Sequence, residues 1–201
     1  MATEAMADSG EATQLVLVGW DGSAGSEHAV RQAAAEADLE LAAEVADRTR
    51  RERAVLGLHE RLAGMRRVGA ISAEVAGLGA VRAVVADVGA DWVLLAPTPE
   101  RSVLVPFGAL RSVVGLAGRI APVGAVAKGF TVGAALRAIS RDRAVVTIVD
   151  RDGQRRSGTI DAVGQDAVDL AEHPIDLPRR PEHVGDVRTI PFAWIGAVLR
   201  V

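Results

Sequence analysis

Val85-Ala-Asp-Val-Gly-Ala-Asp-Trp-Val-Leu-Leu-Ala96 and Ile160-Asp-Ala-Val-Gly-Gln-Asp-Ala-Val-Asp-Leu-Ala171 are the two stretches whose comparison decides the fold. Set one above the other, they match at Val88 and Val163, Gly89 and Gly164, Asp91 and Asp166, Val93 and Val168, Leu95 and Leu170, and Ala96 and Ala171. Unrelated apolar runs share hydrophobic residues, but not Gly and Asp punctuation in the same order at one constant spacing. A second block repeats as well. Val105-Pro106-Phe107 returns as Ile190-Pro191-Phe192, followed by Leu110 and Val113 in one copy and Ile195 and Val198 in the other. The spacing changes because the loop from Glu172 to Asp186 is longer in the second copy. The chain is an internal duplication.

Working outward, each copy reads as a short helix followed by five short strands. In the second, Val132 to Asp142 is predicted helical and Val145 to Val149 extended. Asp152-Gly153 makes a hairpin turn, and Ser157 to Val163 is the next strand. After a Gly164-Gln165 turn, Ala167 to Ala171 alternates Val168 and Leu170 inward with Asp169 outward. Val187 to Ile190 and Trp194 to Val201 complete the unit. So many short strands in so few residues predict a small closed barrel. Ahead of both copies, from about Ser26 to Leu62, helix-forming Ala, Glu, Leu and Arg dominate, with Leu39, Ala42, Ala43 and Ala46 at three- and four-residue steps. That stripe suits close helix packing, as a hairpin or a dimerising helix.

The expected class is α+β: residues 1–25 a disordered tail or weak strand, 26–64 helical, 65–114 a first five-stranded barrel, 115–131 a linker, and 132–201 a second barrel. The linker is rich in Gly, Ala and Pro, which predicts some freedom between the two units.

Composition narrows the function. The chain has no cysteine, which excludes disulfides, a thiolate nucleophile and Cys-ligated zinc and fits a reducing, cytoplasmic setting. A net charge of −3 and 3% aromatic content are unlike the basic, ring-bearing surfaces of most nucleic-acid binders. No basic and apolar leader opens the sequence and no run has the length of a membrane span, so no membrane partner is expected. No Gly-x-Ser-x-Gly elbow occurs, and no set of residues composes a catalytic site, so an enzyme is not expected. His173 and His183 lie near Glu172 and Glu182, but without a fixed ligand spacing; no metal, cofactor or small-molecule substrate is expected.

The second copy resembles the Sm-like family, which includes bacterial Hfq, the Sm proteins and the C-terminal domain of RimP. Val146 and Ile148 alternate, Gly153 and Gly158 stand at the family's four-residue separation, and Ile160, Val163, Asp166 and Leu170 follow. One glycine serves the hairpin and the other permits a sharp strand bend. The first copy is degenerate: Leu78 and Ala83 replace the two glycines. The motif residues are Gly89, Asp91, Pro106, Phe107, Gly153, Gly158, Gly164, Asp166, Pro191 and Phe192. The helical front, Leu41 to Arg50, also resembles that of a group of high-GC Gram-positive bacterial proteins, a likeness that implies no activity.

The resemblance implies a non-enzymatic assembly or adaptor module, because family members pair the open edges of their fourth and fifth strands into rings. A protein partner or a homo-oligomer is therefore expected. RNA binding of the Sm or Hfq type is the alternative. Its usual loop residues are missing here: the loops read Gly164-Gln165-Asp166-Ala167 and Ile190-Pro191-Phe192-Ala193. Arg151, Arg155, Arg156, Arg179 and Arg180 could instead form a phosphate-facing or partner-facing patch. A second alternative is nucleotide binding. Val18-Gly19-Trp20-Asp21-Gly22-Ser23 and Ser26 resemble the opening of universal stress proteins, although Gly115, Gly118 and Gly129 do not give the phosphate loop that such a site needs.

Overall fold

The computed structural model describes residues 24–54, 56–116, 120–122, 124, 127, 129–176 and 184–200. The predicted tail, the stress-protein-like opening up to Ser23, and Arg179, Arg180 and His183 lie outside the described residues. Two compact units are present, Met1–Val55 and Leu56–Val201.

In the first unit, Ala24–Ala54 forms one unbroken helix, α1, of 31 residues. At 1.5 Å per residue that is about 46 Å of helix. Proline is absent from it, and Gly25 lies in its first turn, so no helix breaker interrupts the interior. Pairs one turn apart, Gln32 with Glu36 and Arg48 with Glu44, line its surface. Up to Ala54 the predicted helical region is thus a single rod. Within its own unit Leu39, Leu41 and Val45 are exposed.

The second unit contains α2 (Leu58–Gly64), β1 (Ala70–Val75), β2 (Gly79–Val88), β3 (Trp92–Thr98), β4 (Arg101–Pro106), β5 (Leu110–Val114), α3 (Val132–Arg141), β6 (Val145–Asp150), β7 (Arg155–Val163), β8 (Ala167–Glu172), β9 (Val187–Pro191) and β10 (Ile195–Arg200). All ten strands belong to one sheet, in the order β5-β1-β2-β3-β4-β10-β6-β7-β8-β9. Every strand pairing in it is antiparallel.

The expectation of two separately closed five-stranded barrels is therefore wrong. One open ten-stranded sheet runs through both copies. The fourth strand of the first copy does not close on its own fifth strand; it pairs with the fifth strand of the second, Val198 opposite Leu104 and Leu199 opposite Val103. Unpaired edge groups need partners, and the other copy supplies them at this seam. The Gly, Ala and Pro-rich segment between the copies thus joins two halves of one compact unit.

The duplication is visible in the register itself. Val85 opposes Leu95 and Val88 opposes Val93, with a register shift between Val85 and Asp87. In the second copy Ile160 opposes Leu170 and Val163 opposes Val168, with the shift between Ile160 and Ala162. The same bulge bends the same strand in both copies. Each fourth strand ends at a proline, Pro106 or Pro191, with φ of −60° and −62°, and leads into a three-residue 3-10 turn begun by Phe107 or Phe192. The Phe107 amide donates to the Asp91 carbonyl, and the Phe192 amide to the Asp166 carbonyl, both at 2.7 Å. Gly89 and Gly164 close the preceding turns by donating to the Trp92 and Ala167 carbonyls.

Two hydrophobic clusters fill the unit, and each borrows from the other copy. The first, around Ile71, Val85 and Leu95, includes Val149 and Ala197 of the second copy. The second, around Leu136, Ile160 and Leu170, includes Trp92 and Leu104 of the first. α3 lies on β7, burying Val132, Ala135 and Leu136. Among the described residues no helix is long and apolar enough to cross a membrane.

Candidate partner-binding edges

The inner seam shows how this chain covers a sheet edge. Beyond the β4·β10 ladder, the Asp91 carboxylate accepts from the Val132 amide at 2.6 Å, capping the first turn of α3. Trp92 Nε1 donates to the Phe130 carbonyl at 2.8 Å, and the Ala90 amide donates to the same oxygen. Close backbone approach completes the seam. A Cβ on Gly77 would stand 1.8 Å from the Asp150 carbonyl, and one on Gly196 would stand 2.4 Å from the Ala76 carbonyl. Gly77 also has φ of +73°, which side-chain-bearing residues rarely adopt.

Two edges are left unpaired among the described strands: β5 at one end of the sheet and β9 at the other. The predicted arginine patch lies by the β9 end. Arg155 is exposed on β7. Arg156 stands 3.9 Å from Glu172, and Arg188 donates to the same carboxylate at 2.5 Å. That hydrogen bond, followed by the Coulombic attraction of Glu172, raises the pKa of Arg188 further above its ordinary value. Arg151 is drawn away from the patch toward the first copy: its guanidinium reaches the space beside Gly108, and its amide donates to the Trp194 carbonyl. Of the three described arginines of the predicted patch, Arg156 alone meets Glu172; Arg155, its neighbour on β7, points to the other face of the strand, and Arg151 reaches toward Gly108.

Arg156 and Arg188 line a recess of about 180 Å³ with Gln154, Asp150, Ile190 and Trp194. Trp194 is 49% exposed. The Asp150 carboxylate is occupied locally, accepting from the Asp152 and Gln154 amides. Sequence reading missed Arg188 and Trp194, although a signal existed. Their counterparts in the first copy are Val103 and Ala109, so these are positions where a buried apolar residue has become a cation or a large exposed ring.

The motif glycines have local explanations. Gly153, φ +89°, turns the β6–β7 hairpin. A Cβ on Gly158 would lie 2.0 Å from the Ala171 carbonyl, so the residue permits tight β7–β8 pairing at that point. Gly133 gives room to the Phe192 ring, 3.1 Å from where its Cβ would stand.

His173 is structural. It is buried, its Nε2 lies 2.8 Å from the Thr159 hydroxyl, and its Nδ1 lies 2.9 Å from the Pro174 carbonyl. A proton on Nδ1 satisfies that carbonyl and leaves Nε2 to accept from the hydroxyl, so both ring nitrogens are used. Among the described residues no group of three or more His, Cys, Asp or Glu side chains is placed to hold a metal. Neither a protein-family model nor a curated protein sequence matches this chain.

Proposed function

We propose that the chain is a non-enzymatic assembly or adaptor module that works through the edges of its sheet. The observation that carries this reading is the β4·β10 seam, where one copy's edge recognises the other's by ladder, helix cap and shared core. The same kind of edge stands open twice more, at β5 and β9. Pairing of a fourth strand with a fifth is also what the Sm-like resemblance implies, and this supports an Sm-like ancestry for the repeat. Light scattering on the purified chain, together with pull-down from native cells, tests the reading. An oligomer or a reproducible partner complex is expected; a strict monomer that recovers no partner contradicts it.

RNA binding is the second reading, and Trp194 favours it. An exposed indole beside Arg156 and Arg188 supplies a stacking surface and cations of the kind single-strand binders use. Salt-sensitive retention of RNA that is lost in Trp194→Ala would support it. Retention unchanged by nuclease treatment of the lysate would leave the protein-assembly reading in place.

A further inference from the structure

Three positions around the β9 recess change character together between the copies. Ile148 opposite Arg156 repeats Ala73 opposite Val81, and Leu170 opposite Arg188 repeats Leu95 opposite Val103. Trp194 ends the 3-10 turn that Ala109 ends in the first copy. In the first copy the chain fills the matching hollow itself: Val149, Ala197 and Leu199 join its hydrophobic cluster, and Leu199 lies beside Val81 and Val103. No described strand covers the place in the second copy, because β9 ends the sheet. Its floor stays apolar, with Ile148 and Ile190 buried, while Arg156, Arg188 and Trp194 stand around it.

Exposure to water accounts for two valines becoming arginines. It does not account for an alanine becoming a tryptophan that leaves about half of its surface in water. An indole and two guanidinium groups over an apolar floor match a flat ring that carries an acid. The ring packs offset on the indole, and a carboxylate takes paired hydrogen bonds from a guanidinium fork. Arg188 gives its Nε to Glu172, and with five N–H donors on each guanidinium that bond leaves most of the pair's donors for a ligand. Charge narrows the anion. Glu172 faces both arginines and Asp150 lines the recess, so two carboxylates balance two guanidiniums. A phosphate dianion, which gains most from a cationic surplus, finds none here; a single carboxylate draws mainly on directed hydrogen bonds.

We infer that the recess is a binding site for a small aromatic monocarboxylate, its ring against Trp194 and its acid group on Arg156 and Arg188. At about 180 Å³ the space is below that of drug-sized pockets, which fits one ring on a short arm. This goes beyond the assembly reading, and it differs from the RNA reading in the anion recognised.

Calorimetric titration of the full chain with phenylacetate tests it, beside phenylacetamide, cyclohexylacetate and uridine monophosphate. Phenylacetate should bind one per chain, and the uncharged amide at least about tenfold more weakly. The cyclohexyl acid, which has no flat ring to stack, should lose about threefold. Arg188→Gln should weaken phenylacetate binding at least about tenfold and Trp194→Ala about threefold, each variant shown folded by circular dichroism. Arg155→Gln, on the other face of β7, should leave it unchanged. A second measurement needs no variant to fold: of the three tryptophan indole N–H resonances, one belonging to an exposed ring should move as phenylacetate is added, and that of buried Trp92 should not. No saturable binding of either acid overturns the site, as does an amide that binds as well as the acid, or binding that Arg188→Gln and Trp194→Ala both leave intact. Uridine monophosphate binding more tightly than phenylacetate overturns the carboxylate assignment and favours the RNA reading. Sedimentation of the same samples reads assembly separately, so the site can fail while the assembly reading stands.

Discussion

Asp91 of the first copy caps a helix of the second: its carboxylate accepts from the Val132 amide at 2.6 Å, 41 residues along the chain. The equivalent Asp166 is exposed at the far end of the sheet. Asp91→Ala should therefore cost about 1 kcal/mol, the usual value of an N-terminal helix cap, and lower the melting temperature by several degrees. Asp166→Ala should shift stability by less than about 0.5 kcal/mol. Thermal melts of the two variants side by side check the difference, and equal losses would count against the cap.

Gly158 and Ala83 occupy the same position in the two copies but differ in tolerance. A Cβ at Gly158 meets the Ala171 carbonyl, whereas the first copy places Pro97, which cannot donate to a ladder, across from Ala83 and begins its β2·β3 pairing one residue later, at Val84. Gly158→Ala is expected to destabilise by on the order of 3 kcal/mol through overpacking. Ala83→Gly should cost about 1 kcal/mol. Urea denaturation of both variants gives the comparison.

Leu104 is a first-copy residue inside the second-copy core. Leu104→Ala should lose about 2–5 kcal/mol. More tellingly, the copies should unfold together, in one transition seen alike by tryptophan fluorescence and circular dichroism. Two separate transitions, only one of them moved by the substitution, would mean that the cores are independent.

The Arg188–Glu172 pair is only partly buried and lies at the sheet edge, so Arg188→Gln should change folding stability by less than about 1 kcal/mol. Any loss of assembly in that variant is then a property of the edge and not of the fold. Paired melts and sedimentation runs on one preparation separate the two.

Much of this architecture could be read from residues alone. The Gly-x-Asp punctuation at Gly89-Asp91 and Gly164-Asp166, with the Pro-Phe corners, fixed the repeat, and the observed strands follow it pair for pair. What could not be read was which strand each edge would meet. Val103 and Leu104 look like any buried strand residues, and nothing local distinguishes closure on Leu110–Val114 from pairing with Ile195–Arg200. That choice is made by groups far apart in sequence, among them Gly77 against Asp150, Asp91 against Val132, and Trp92 against Phe130. The β9 recess was hidden for a related reason. Arg188 and Trp194 are unremarkable in a polar loop-and-strand sequence, and only alignment with Val103 and Ala109 marks them as departures.

The shared sheet is tested most directly by a disulfide across the seam, in a chain with no cysteine of its own. Ser102 opposes Arg200 on β4 and β10, and directly opposed residues of an antiparallel pair fall within disulfide reach. Ser102→Cys/Arg200→Cys should oxidise within single chains to near completion, without loss of native circular dichroism, and should raise the melting temperature. Free thiols, or links only between chains, would show that the two copies do not share one sheet.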